Sequence, residues 1–213
     1  MAACIDTMHR WNERYAIADY LYGEAPNAFL RANAHRLMPR QTALCVADGE
    51  GRNSVWLAES GLTVTAFDFA ETAVAKGRDL AARRAVTVDY RVSDIFDWSW
   101  ASNQFDIVVA IFIQFLDTGD REAVFDDMMN TLKPGGLLLL EGYRPEELAY
   151  GTGGELDESR LYTRVWLEQR FFGWDILDLN EYDAELHEGA AHIGLSALID
   201  LVARKPANQR NAA

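Results

Sequence analysis

Residues 43–53 read Ala43-Leu44-Cys45-Val46-Ala47-Asp48-Gly49-Glu50-Gly51-Arg52-Asn53, and this stretch decides the fold. Its apolar run predicts a buried strand, its two glycines predict a tight turn, and a helical pattern follows them. Glycines let a backbone approach a ligand closely, and the first turn of a helix offers unpaired N–H groups. A tight strand-to-helix connection needs glycine whether or not it binds anything, so the turn alone does not identify a ligand site.

Beyond this stretch, apolar strand-like runs alternate with amphipathic stretches, which predicts βαβ units and a parallel sheet. Two last strand-like runs are joined by a short link around residues 186–189, and such a pair predicts an antiparallel hairpin. We therefore expect an α/β fold, a three-layer sandwich with a mostly parallel seven-stranded sheet and an antiparallel strand from the C-terminal hairpin. The predicted strands are 42–47, 63–67, 86–92, 105–112, 137–141, 174–182 and 193–204, and the predicted helices are 53–60, 71–84, 121–132 and about 159–170.

The composition of the chain indicates which kinds of molecule the protein binds. The formal net charge is −13, from 33 acidic and 20 basic residues, and this balance repels the phosphate backbone of nucleic acids. No apolar run reaches the roughly 18 residues that a membrane span needs, and the first residues do not resemble a signal peptide. We expect a cytoplasmic protein that acts on a small molecule, without nucleic acid or membrane, as a monomer or homodimer.

Two cysteines are too few for a disulfide framework, and the chain has no paired Cys/His spacing of a zinc site, so we expect no metal. Cys45 lies in an apolar strand pattern, which favours a buried and inert thiol over a reactive one. The chain length predicts a single domain over residues 1–206, followed by a disordered tail at 207–213.

Two aspartates stand at the ends of the next predicted strands. Asp68 follows Gly51 by 17 residues, and Asp94 ends the third strand. A carboxylate accepts two hydrogen bonds from a vicinal diol, and an acidic residue at about this spacing commonly meets the ribose of a nucleotide. Either aspartate alone could be a helix cap or a turn residue. Suitable groups at three successive strand ends favour a nucleotide-like ligand.

The order of these features resembles the class I S-adenosylmethionine-dependent methyltransferases, which implies a Rossmann-like fold and methyl transfer to a small molecule. The chain is most similar to the bacterial branch that looks like the tellurite-resistance and thiopurine methyltransferases. By that resemblance, residues 1–40 form a helical segment that lids the cofactor. The resemblance rests on the glycine turn, Asp68, Asp94, Phe105-Asp106-Ile107-Val108, Leu132-Lys133-Pro134-Gly135-Gly136, Trp11-Asn12-Glu13-Arg14-Tyr15, Tyr22-Gly23-Glu24-Ala25-Pro26-Asn27 and Glu188-Gly189-Ala190-Ala191-His192.

The same resemblance implies a set of cofactor contacts. Gly49 and Gly51 would face the methionine part of S-adenosylmethionine, Asp68 its ribose, and Asp94 with Ile95 its adenine. The full expected set is Trp11, Tyr22, Gly49, Gly51, Asn53, Asp68, Phe69, Asp94, Ile95, Ala110 and Ile111.

The glycine turn departs from the family pattern at three positions. Cys45 stands where the family usually has an acid, Ala47 replaces its first glycine, and Asp48 precedes Gly49. Asp48 and Glu50 keep acidic charge in the turn, which could suit a sulfonium and an ammonium group. These three differences affect how the methionine end of S-adenosylmethionine would be bound more than they affect which cofactor is bound.

Methyl transfer from a sulfonium is an in-line displacement with a neutral leaving group, so positioning does much of the work. A thiol or a metalloid oxyanion needs little acid–base help, whereas a protonated amine needs a base. No residue is assigned as catalytic, and Gln114 stands where relatives often carry histidine. The candidates for substrate contact are His192, His187, Arg144, Tyr143 and Gln114.

Two other functions are compatible with parts of this pattern. A non-catalytic protein that binds S-adenosylmethionine would have much the same sequence. An NAD-dependent oxidoreductase shares the architecture and the ribose carboxylate. Against the oxidoreductase, Ser54 stands where the dinucleotide fingerprint has its third glycine.

Overall fold

A computed structural model describes residues 2–152 and 157–207, and the side chains from residue 9 onward within those ranges. Most of the predicted tail, residues 208–213, lies outside the described part of the chain. Its α-helices are α1 (Ala2–Tyr15), α2 (Ala28–Ala32), α3 (Arg52–Glu59), α4 (Glu71–Arg83), α5 (Thr118–Thr131), α6 (Glu147–Tyr150) and α7 (Arg164–Arg170). Its strands are β1 (Thr42–Val46), β2 (Thr63–Asp68), β3 (Val88–Val92), β4 (Phe105–Ile111), β5 (Leu132–Tyr143), β6 (Asp175–Glu188) and β7 (His192–Arg204).

Seven strands form one mixed sheet in the order β3-β2-β1-β4-β5-β7-β6. The pairs β1–β2, β2–β3 and β4–β5 are parallel, and β5–β7 is antiparallel. This arrangement confirms the predicted α/β fold with its mostly parallel sheet and antiparallel C-terminal strand. Among the described residues, no helix is both long enough and apolar enough to cross a membrane.

The chain divides into two compact units. One comprises Met1–Trp98 with Glu185–Gly194, and the other comprises Ser99–Ala184 with Leu195–Ala213. The prediction of a single domain over residues 1–206 stays a prediction.

In the first unit, strand register brings three strand ends to one edge. Val46 of β1 pairs with Phe67 of β2, and Asp68 of β2 pairs with Val92 of β3. The glycine turn therefore leaves β1 beside Asp68. Cys45 is buried in β1, as its apolar context predicted, and burial raises the pKa of its thiol well above the usual value.

In the second unit, β5 begins earlier than predicted. The sequence Lys133-Pro134-Gly135-Gly136 breaks the helix, as expected, but it belongs to the strand rather than to a separate loop. Phe105 pairs with Leu132 and Ile107 pairs with Leu137, so the extra residues of β5 are accommodated by a bulge. A Cβ on Gly136 would lie 2.9 Å from the carbonyl oxygen of Asp106, which explains why glycine stands there.

The helix predicted at about 159–170 is wrong in its first half. A 3₁₀ turn spans Glu158–Arg160, and α7 begins only at Arg164. Between them, the backbone N–H of Tyr162 donates to the carbonyl of Tyr143 at 3.0 Å, so this residue bonds to β5 instead of to a helix. The hydroxyl of Thr163 accepts from the N–H of Trp166 and caps the new helix start.

The link between the last two strands is also shorter than predicted. Strand β6 continues to Glu188, and β7 begins at His192. The turn consists of Gly189, Ala190 and Ala191, with Gly189 at a φ of +62°. That left-handed conformation is readily adopted by glycine, so the strand ends at Glu188.

Candidate functional site

The glycine turn is bonded directly to Asp68. The carboxylate of Asp68 accepts from the backbone N–H of Gly49 at 2.9 Å and from the N–H of Ala70 at 2.9 Å. Burial raises the pKa of Asp68 to about 6, although the backbone donors oppose that shift. The acid at the end of β2 is thus hydrogen-bonded to the backbone of the glycine turn.

The two acids within the turn have partners in the protein. Asp48 is hydrogen-bonded by the hydroxyl of Ser54, and burial raises its pKa to about 7. Glu50 is buried and forms an ion pair with Lys76 at 2.6 Å. Neither arrangement shows a carboxylate reserved for a sulfonium or an ammonium group.

An aromatic cluster packs on the turn. The ring of Tyr15 stacks on Trp11 with centroids 5.5 Å apart and meets the edge of Tyr22 at 6.4 Å. A Cβ on Gly49 would lie 3.1 Å from the Tyr15 hydroxyl, so this ring covers the glycine. Trp11 and Tyr22 were expected near the turn, but Tyr15 was not. Its position four residues after Trp11, on the same face of a helix, is the signal that could have found it.

Two residues predicted to contact the cofactor, Gly51 and Asn53, have structural roles in the fold. A Cβ on Gly51 would lie 2.8 Å from the Cα of Gly77 and would collide with the Tyr90 hydroxyl. Close packing of helix against strand therefore explains this glycine without a ligand. The side-chain oxygen of Asn53 accepts from the backbone N–H of Asn27 at 2.9 Å.

The adenine-side candidates lie after β2 and β3. Asp94 is partly buried and accepts from the N–H of Phe96 at 3.0 Å, and Ile95 beside it is buried. Phe69, directly after Asp68, is partly buried.

Of the two histidines predicted to contact substrate, His192 at the start of β7 is buried within the first unit. His192 is buried, its ring lies 4.5 Å from the ring of Tyr22, and its Nδ1 lies 3.3 Å from a carboxylate oxygen of Glu188. Burial lowers the pKa of His192, which favours the neutral ring. Burial alone would raise the pKa of Glu188, but hydrogen bonds from His192 and Arg52 hold it at about 2. His187 is exposed.

In the second unit, the candidate residues are held by one another and by nearby acids. The amide of Gln114 donates to the carbonyl of Tyr143 at 2.7 Å and accepts from its N–H at 2.5 Å, which ties the loop after β4 to the end of β5. The Tyr143 ring is buried 4.7 Å from Phe112. Arg144 forms ion pairs with Asp183 and Glu146. At the end of β4, Ala110 is buried and Ile111 is partly buried.

Comparison with known proteins finds a family match over part of the chain. Residues 43–136, somewhat less than half of the chain, match the family described as "Methyltransferase domain". The chain is 27% identical to phosphoethanolamine N-methyltransferase 1 of Triticum aestivum over 71% of this chain and 28% of that protein. It is 31% identical to demethylmenaquinone methyltransferase of Renibacterium salmoninarum over 48% of this chain and 41% of that protein. The matched region spans less than half the length of either relative.

Solved structures share the fold. TehB from Haemophilus influenzae superposes with a TM-score of 0.71 at 21% identity, covering 84% of this chain and 62% of that chain. The N-methyltransferase NodS from Bradyrhizobium japonicum, in complex with S-adenosyl-L-homocysteine, superposes with a TM-score of 0.68 at 15% identity, covering 94% of this chain and 98% of that chain. The family match and the fold support a class I methyltransferase, and they imply S-adenosylmethionine as its cofactor.

Proposed function

We propose that this protein transfers a methyl group from S-adenosylmethionine to a small-molecule acceptor. The observation that carries the proposal is Asp68, whose carboxylate is bonded to the N–H of Gly49 at 2.9 Å inside a region that matches a methyltransferase domain. An acid held against a glycine turn at the end of the second strand is suited to the ribose of an adenosine-containing cofactor.

The residues of the first unit fit that cofactor. Asp68 has its position set by two backbone donors, and a carboxylate with about four acceptor positions keeps capacity for a ribose hydroxyl. The faces of Trp11, Tyr15 and Tyr22 suit a cationic sulfonium, since aromatic rings attract cations. Asp94 and Ile95 offer a polar and an apolar contact for adenine. Gly51 and Asn53 act by shaping the turn and holding the N-terminal segment.

The bound cofactor supplies an electrophilic methyl group, and the protein holds the acceptor atom in line with it. An acceptor atom held about 3 to 3.5 Å from the methyl carbon reacts by in-line displacement. We propose a thiol, a metalloid oxyanion or an amine as the acceptor. Two of the similar proteins are N-methyltransferases by name, which supports an amine, and the likeness to TehB supports the tellurite-resistance-like branch. The net charge of −13 supports a small-molecule acceptor over nucleic acid, and we propose that the enzyme is cytoplasmic.

A non-catalytic protein that binds S-adenosylmethionine is the second candidate. It is favoured by the partners of the predicted acceptor-contacting residues, because Gln114, Tyr143 and Arg144 are all engaged within the protein. A methyl-transfer assay with thiols, selenite, tellurite and small amines separates the two candidates, since only the enzyme converts the cofactor to S-adenosylhomocysteine.

The first experiment measures thermal stability with S-adenosylmethionine, S-adenosylhomocysteine, NAD and NADP added separately. We expect a rise of several degrees in Tm with the first two only, because a ligand that binds the native state stabilises it by mass action. Asp68→Ala should abolish that rise, whereas Asp89→Ala, on exposed β3 surface, should keep it. A rise with NAD alone would make the protein an oxidoreductase, and an unchanged rise in Asp68→Ala would refute the ribose assignment.

A further inference from the structure

Residues 19–27, here called the strap, are bonded to the glycine turn. The backbone N–H of Leu21 donates to the buried carboxylate of Glu50 at 2.7 Å. Lys76 donates both to Glu50 at 2.6 Å and to the carbonyl of Asp19 at 2.7 Å. The carboxylate of Glu50 therefore holds the strap in place. Because Glu50 belongs to the glycine turn, the first part of the strap lies against the turn that carries Gly49.

The far end of the strap is held by the start of α3. The N–H of Asn27 donates to the side chain of Asn53 at 2.9 Å, and the carbonyl of Tyr22 accepts from Arg52 at 3.4 Å. Asn27 is buried. Both ends of the strap thus depend on the residues that immediately follow β1.

Residues 188–192, here called the hairpin tip, close over the strap. The N–H groups of Ala190 and Ala191 both donate to the carbonyl of Leu21, at 2.9 and 3.2 Å. A Cβ on Gly189 would lie 2.5 Å from the nitrogen of Gly23 and would collide with the Leu21 carbonyl. This contact of backbone against backbone requires glycine at position 189, whereas a Cβ on Gly23 would lie 3.3 Å from the nitrogen of Gly189.

Glu188 joins these parts. Its carboxylate forms an ion pair with Arg52 at 2.8 Å, accepts from the side chain of Asn27 at 3.2 Å and lies 3.3 Å from Nδ1 of His192. The side chains of Glu188 and Arg52 are only 12% and 9% exposed, so this charge pair is largely removed from solvent. Removing one member of such a pair leaves the other charge buried without its partner, which costs far more than the loss of an exposed pair.

We propose that Glu188 is a positioning residue for cofactor binding: it fastens the hairpin tip to the strap and so holds Tyr22, with Tyr15 behind it, over the glycine turn. The proposal rests on the proposed function and adds a residue to it, from the opposite end of the chain. Glu188 acts through Arg52, Asn27 and His192. We expect the strap to open when the cofactor leaves, and on this proposal Glu188 slows the dissociation of the cofactor.

The test compares Glu188→Ala and Glu188→Gln with Glu185→Ala, a control on an exposed residue of the same strand. Hydrogen exchange of the strap, measured without cofactor, should accelerate at least tenfold in Glu188→Ala, while exchange of β1 stays unchanged. The dissociation constant of S-adenosylhomocysteine, measured at a temperature where every variant is folded, should rise at least tenfold, chiefly through faster dissociation. Glu188→Gln keeps the shape and one acceptor oxygen, so it should fall between wild type and Glu188→Ala.

Each other outcome overturns the proposal in a different way. Faster strap exchange with unchanged affinity would make Glu188 a purely structural residue, as would a lower Tm with normal binding by the folded protein. Unchanged strap exchange would show that Glu188 does not fasten the strap. Wild-type protein that binds neither S-adenosylmethionine nor S-adenosylhomocysteine would refute the proposed function itself, and this result is distinguishable because strap exchange is measured without ligand.

Discussion

At the scale of single residues, Ala47 has a strained backbone conformation. Its φ is +47°, in the left-handed region where a Cβ crowds the backbone. A glycine adopts such a conformation at no steric cost. The backbone at this position of the turn therefore has a conformation typical of glycine, although the residue is alanine.

Ala47→Gly should stabilise the protein by about 1 kcal/mol, because relief of left-handed strain exceeds the entropy that glycine adds to the unfolded chain. Urea unfolding measures the change. Ala43→Gly, at a buried strand position, is the matched control and should destabilise the protein. A loss of stability in Ala47→Gly would show that the turn is not strained at this position.

At the scale of elements, β5 and β7 place two carboxylates opposite each other inside the second unit. Glu141 pairs in register with Asp200, both are buried, and the hydroxyl of Tyr182 lies 3.2 Å from each. Burial raises the pKa of Asp200 to about 7, and the charge of Asp178 adds to the shift. Two like charges this close in a buried site favour a shared proton.

This pair predicts how stability depends on pH. The folded state holds a proton on Asp200 up to about pH 7, whereas an unfolded aspartate loses it near pH 4. The stability that the proton confers is complete below about pH 4, falls as the pH rises from about 4 to 7, and is lost above pH 7. Asp200→Asn, which cannot ionise, should therefore have a Tm several degrees above wild type at pH 8.5, and the difference should be clearly smaller at pH 5.

Thermal unfolding at the two pH values checks this expectation. Asp175→Asn, in an exposed ion pair with Arg204, is the control and should change little at either pH. An equal Tm for wild type and Asp200→Asn at pH 8.5 would show that the buried pair does not limit stability.

At the scale of the whole molecule, residues 1–27 serve the first unit in two ways. They supply Tyr15 and Tyr22 to the glycine turn, and they bond to the buried Glu50 and to the partly buried Lys76 and Glu188. The lid predicted for residues 1–40 stays a prediction, and the strap is its most extensively bonded part.

A chain that begins at Ala28 should keep the far-UV circular dichroism of the sheet, because the strands of the first unit pair without residues 1–27. Its Tm should fall by several degrees, and added S-adenosylhomocysteine should no longer raise it. Normal cofactor affinity in the chain beginning at Ala28 would refute a role for the lid.

Most of the sheet could be predicted from the sequence because local pattern determines strands and helices. The predicted strand 63–67 and the observed β2 (Thr63–Asp68) differ by one residue, and α3 begins and ends within one residue of its prediction. The errors fall where a distant partner overrides the local pattern. Tyr162 bonds to Tyr143 and interrupts a predicted helix, and the bulge opposite β4 draws Lys133 into β5.

The sequence by itself determined the order of strands and helices along the chain, the glycine turn and the acid at the end of the second strand, because these depend on residue spacing within one βαβ unit. Only the tertiary structure decided that Tyr15 covers Gly49, that Glu50 holds the strap, and that Glu188 reaches Arg52 across 136 positions of the chain. Such contacts come from folding distant segments onto one another, and no local periodicity records them.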